Sequence, residues 1–108
     1  MQALVSQTLA LEKPMPAYLI GQIKVKNEDL WQEYVTGVQE SLALFEATIV
    51  FRGKLLEVLA GQQDKDLVVV IEFSHQTILN DWFNSEKYQS LITLRDEAAD
   101  VVITTYQA

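Results

Sequence analysis

Residues 17 to 25, AYLIGQIKV, alternate with the period of a strand: Leu19, Gly21, Ile23 and Val25 share one face, and Tyr18, Ile20, Gln22 and Lys24 the other. At Asn27 the period changes. Trp31, Tyr34, Val35, Val38, Leu42 and Phe45 recur at helical spacing. Asn27 suits the N-cap, and Glu28 and Asp29 fall in the first turn, where the helix dipole favours acids. The pattern predicts a helix ending near Phe45. ATIVFRGKLLEVLAG reads as strand, interruption, strand, with Gly53 marking a bulge or bend, and GQQDKD as a polar turn. LVVVIEF is apolar at every position but Glu72, which predicts a strand buried on both faces. Ser74 is placed to cap a short helix carrying Ile78, Leu79, Trp82 and Phe83, Ser85 to cap a second, and VVITTYQ closes as the last strand.

The order strand–helix–strand–strand–helix–strand is the ferredoxin-like βαββαβ arrangement of the α+β class, an antiparallel sheet with helices on one face. LVVVIEF offers no polar face to water, so the second sheet face also needs a cover. A second copy of the chain is the economical one, which predicts a homodimer with two sheets face to face, a dimeric α/β barrel. Pro14 and Pro16 separate an N-terminal arm, residues 1–15, from the domain, residues 16–108. The arm is expected to dock on the neighbouring subunit.

Composition narrows the function. A chain of 108 residues, 49% hydrophobic and 21% charged, is one globular domain. The net charge of −7 argues against nucleic acid and against anionic membrane surfaces as partners. There is no cysteine and only one histidine, so thiolate chemistry and the common zinc sites are excluded, and no metal or organic cofactor is expected. The opening MQALVSQTLALEKPMP lacks the basic start and unbroken apolar stretch of a secretory signal, which favours the cytoplasm.

The succession AYLIGQIKV, DLWQEYV, FRGKLLEVLAG, VVVIEF and DWFNSEKYQSLITLRDEAAD resembles the domain of unknown function 1330 family over residues 17 to about 105. The most specific part is the helix motif Trp82, Ser85, Tyr88 and Arg95. The resemblance implies a dimeric α/β barrel of two ferredoxin-like protomers. It implies no established activity, although relatives of that barrel include cofactor-independent monooxygenases, heme-degrading enzymes and lactone isomerases. Between residues 46 and 61 the chain departs from the family pattern, with Glu46 and Ala47 where a glycine pair is usual, Lys54 for glycine, and Ala60 for an acid.

Arg95 poses the chemical question. On a helix it shares a face with Tyr88, Leu91, Ile92, Ala98 and Ala99, an apolar stripe in which a permanent charge needs an answer. Glu72, the lone charge of its strand, is the favoured partner, and the pair would then be structural. Two other readings stay open. Arg95, helped by Arg52, could clamp a small acid through its planar fork. Glu72 could instead project into the barrel with Val68 and Val70 as a lone carboxylate, a credible general base. The expected site is an apolar cleft for a small, acidic or enolic organic ligand. Glu72 would be the catalytic residue, with Tyr18, Arg52, Trp82, Ser85, Tyr88 and Arg95 binding the ligand. The alternative is a non-catalytic dimeric module whose motif residues hold helix to sheet.

Overall fold

In a computed structural model, which describes residues 15–108, four antiparallel strands form one sheet in the order β2-β3-β1-β4. The strands are β1 (Ala17–Val25), β2 (Ala47–Lys54), β3 (Leu67–Phe73) and β4 (Ala99–Gln107). Helix α1 (Glu28–Leu42) joins β1 to β2, and a broken helical run, α2 (Gln76–Phe83), α3 (Glu86–Gln89) and α4 (Ile92–Ala98), joins β3 to β4. This is the ferredoxin-like α+β fold that the element order predicts. The arm's docking on a neighbour falls outside the described residues.

Two of the helix starts have a side-chain cap. Asn27 Oδ1 accepts from the Leu30 amide at 3.0 Å, and Ser85 Oγ accepts from the Tyr88 amide at 3.2 Å while donating to the Trp82 carbonyl at 2.6 Å. Ser74 is not the cap of α2. That position is His75, which makes no side-chain capping bond, and Ser74 Oγ is buried with no partner among the described residues. Helix α1 stops at Leu42 rather than Phe45, although Phe45 still packs against the core.

The bulge of β2 lies between Ile49 and Phe51, not at Gly53. Its consequence is large, because one inserted residue exchanges the faces of everything beyond it. Phe51 now pairs with Val70 and Arg52 with Val69. Arg52 thereby joins the helix side of the sheet, and the Phe51 ring lies over Gly53, where a Cβ would sit 2.6 Å from Phe51 Cζ. No strand continues past Lys54. Residues 55 to 66 form a loop closed by the Leu55 amide donating to the Asp66 carbonyl at 2.7 Å.

The core sits between the sheet and the helices, around Leu19, Ile71, Phe73, Leu79, Trp82 and Tyr88. Tyr88 and Phe73 are wholly buried. Among the described residues, no helix lies on the opposite sheet face. Register puts Ile20 beside Val70 and Gln22 beside Val68 and Val102 there, and Phe51 and Val102 are exposed.

Candidate functional site

Alternation along β1 and β3 turns Leu19, Gly21, Val69 and Ile71 towards α1, but they do not fill the space beneath it. A cavity of about 420 Å³ remains between α1 and the sheet, partly open to solvent. Gly21 helps to keep it open: a Cβ there would lie 3.1 Å from Val69 Cγ1 and would occupy its floor. Ile23, Val35, Val38, Val69 and Ile103 give apolar walls, and exposed Gln32, Gln39 and Arg52 are among its lining residues.

The buried polar groups of the cavity are aromatic. Tyr34 of α1 and Tyr88 of α3 both line it, with their hydroxyls 2.8 Å apart. Arg95 Nη1 donates to Tyr88 Oη at 3.1 Å, and Arg95 Nε donates to Asp96 Oδ1 at 3.1 Å. Burial, reinforced by Tyr88, pushes the Tyr34 phenol well above the ordinary tyrosine range, with Arg95 pulling weakly the other way. Burial works against the Arg95 charge, but its bonds to Tyr88 and Asp96 outweigh it and raise the guanidinium pKa. Trp82 completes the wall; its ring centroid is 4.4 Å from that of Tyr88, and Nε1 donates to Ser41 Oγ at 2.8 Å.

The expected ligand-binding set is thus only partly brought together. Arg52, Trp82 and Tyr88 line the cavity. Arg95 reaches it through Tyr88 and itself lines a second hollow of about 340 Å³ with Leu79, Asn80 and Phe83. Ser85 is consumed by its cap. Tyr18 and Glu72 are register partners on the far face of the sheet, next to Thr48, because their neighbours Leu19, Ile71 and Phe73 point to the core. The favoured Glu72–Arg95 pair is therefore not formed within the protomer: the sheet separates the two, and Arg95 is answered by Tyr88 and Asp96 instead. Glu72 cannot serve as a base for a molecule in this cavity. It shares its face with Val68 and Val70, as the second reading of the sequence had it.

Tyr34 and Ser41 were absent from the expected set. Helical spacing marked Tyr34 only as a core residue, and nothing in the pattern of α1 announces that its hydroxyl meets one 54 positions away.

The family model described as "Domain of unknown function (DUF1330)" matches residues 16–107. The chain belongs to that family. No curated protein sequence matches this DUF1330 chain. Among solved structures, it resembles RPA0582, a protein of unknown function from Rhodopseudomonas palustris, at TM-score 0.76 and 14% identity, covering 100% of this chain and 93% of that one. It also resembles the hydroxynitrile lyase of Passiflora edulis at TM-score 0.69 and 12% identity, over 88% of this chain and 94% of the lyase. A dimeric ferredoxin-like protein of unknown function from Thermobifida fusca aligns at TM-score 0.62 and 15% identity, over 87% and 92% of the two chains. At these identities the likeness shows the fold alone. Among the described residues, no helix is long and apolar enough to cross a membrane.

Proposed function

We propose that this DUF1330 protein binds a small, mainly apolar organic molecule in the cavity between α1 and the sheet. The observation that carries this reading is the cavity itself, about 420 Å³ with apolar walls and a buried phenol pair. Small-molecule sites run from about 300 to 1,000 Å³ and combine apolar linings with a few fixed polar groups. The likeness to a hydroxynitrile lyase supports the reading at the level of architecture and selects no reaction. Structural roles claim part of the motif, since Trp82 and Ser85 spend their polar atoms on the chain itself. Tyr88 is the motif residue left for a ligand, with Arg95 behind it.

Two copies associate through the helix-free sheet face. Ile20, Val68, Val70 and Phe51 form an apolar surface there, and the neighbouring loop adds Leu56 and Leu59, which are 98% and 89% exposed. The dimeric neighbour from Thermobifida fusca supports this assembly.

Native mass spectrometry of freshly purified protein, with calorimetric titration of 1-methylnaphthalene, tests the cavity. A reproducible extra mass or a binding isotherm, abolished by the cavity-filling Val35→Trp, is the expected result. Absence of both in the wild-type protein overturns the reading.

A further inference from the structure

Tyr34 and Tyr88 together bring two phenolic hydrogens to a buried place. Their mutual bond uses one of them, whichever oxygen donates. Arg95 uses none, because it donates to Tyr88 and takes up a lone pair. No further hydrogen bond joins either phenol oxygen to the described residues, so one O–H is unspent. Tyr34 is 7% exposed and Tyr88 wholly buried, and a buried donor without an acceptor is costly. Both side chains line the same cavity.

Resting on the reading of that cavity as a binding site, we infer that its ligand carries a carboxylate or enolate oxygen, which accepts the unspent phenolic hydrogen. Preorganisation favours an acceptor oxygen, and the charge of Arg95 favours an anionic one over a neutral one. The unspent O–H is held in place by the core, so little ordering is needed when the ligand arrives. Arg95 sits behind Tyr88 with its side chain 17% exposed and polarises the phenol towards donation. Its charge, shared with the well-exposed Asp96, opposes the desolvation of an anion in an apolar cavity. Arg95 is a positioning residue here. It fixes the lone pair of Tyr88 and thereby directs which hydrogens remain.

The chemistry of the ligand follows from the rest of the wall. Apolar side chains surround the phenols, so the body that carries the oxygen is aliphatic or aromatic, not a sugar or a nucleotide. Arg52, turned to this side by the bulge, adds a second cation at the edge and widens the preference for acids. If the phenol hydrogen bonds to an oxygen whose charge develops during a reaction, the same geometry is an oxyanion site.

A matched pair of probes tests this: 1-naphthoate, which presents the oxygen, and 1-methylnaphthalene, which keeps the body and lacks it. Calorimetric titration of the wild-type protein should show the acid binding about tenfold or more tightly, the scale of one charge-assisted hydrogen bond. Tyr34→Phe/Tyr88→Phe should erase that preference, so that the two probes bind the variant with equal affinity. Arg95→Met should reduce it while both tyrosines remain. Equal affinity of the two probes for the wild-type protein overturns the inference and leaves the cavity reading standing. Binding of neither overturns both. The wild-type comparison decides even if the double variant fails to fold.

Discussion

Tyr34 and Tyr88 meet hydroxyl to hydroxyl at 2.8 Å, joining the first helix to the motif of the third. Their rings cross edge to face with centroids 6.4 Å apart, and Trp31 and Phe83 flank them at 5.2 and 5.1 Å. The contact is both a clasp between α1 and α3 and the polar end of the cavity. A change at either tyrosine is therefore read in stability as well as in binding.

Alkaline pH separates the two roles. The folded protein holds Tyr34 protonated far above the usual value of 10.0, through burial first and Tyr88 second. A raised folded pKa means the unfolded chain loses this proton first, so the stabilisation is complete below pH 10.0 and is lost as pH rises above it. One proton of difference corresponds to about 1.4 kcal/mol per pH unit. Urea unfolding of wild type should weaken above pH 10.0 more steeply than that of Tyr34→Phe. Parallel slopes would remove the burial of this phenol as their cause.

Ser41 is fully buried and links two elements: it donates to the Val38 carbonyl at 2.7 Å and accepts from the Trp82 indole at 2.8 Å. Ser41→Ala strands a buried indole N–H, which costs about 1–3 kcal/mol. The denaturant midpoint should fall accordingly, with cooperativity kept. Ser41→Thr restores the hydroxyl, and recovery of stability would show that the bond, rather than the volume, matters.

Ser85 matches the family motif but has no place in the cavity lining. Ser85→Ala should cost roughly 0.5–2 kcal/mol by removing the cap of α3, and Ser85→Thr should recover most of it. Probe affinity measured at a temperature where both variants are folded should stay at the wild-type value. A loss of affinity in Ser85→Thr would reassign this residue to the site.

The four strands were legible, apart from the further strand read after Gly53, because period-2 alternation and apolar runs are local signals. β1 and β3 begin and end where the pattern puts them. Whatever depended on the third dimension was not. The bulge at Ile49/Phe51 has no local mark, since Gly53 is the residue that looks like a break, and it alone decides that Arg52 faces the cavity. Arg95 was rightly seen as a charge needing an answer, but a tyrosine hydroxyl answers as well as a carboxylate does. Pairing it with Glu72 required both on one side of the sheet, and alternation with Ile71 and Phe73 forbids that. Tyr34 looked like any aromatic on an amphipathic helix. Only the packing of α1 over α3 and α4 brings its hydroxyl to the cavity and to Tyr88.

The helix-free face yields the last prediction. Val70 lies at its centre, paired with Ile20 on one side and Phe51 on the other. Its position is apolar by choice of sequence, while solvent would favour a polar residue on an uncovered antiparallel sheet. Val70→Asp places a charge where a second sheet would press. The charge has no partner there, and burying it unpaired is prohibitive. Light scattering behind a sizing column should give twice the chain mass for wild type and a single chain mass for Val70→Asp. The variant should keep its helical circular dichroism, because the core lies on the other side of the sheet and loses no contact. A wild-type monomer would sink the barrel assembly outright. A variant that still dimerises would move the interface away from this face.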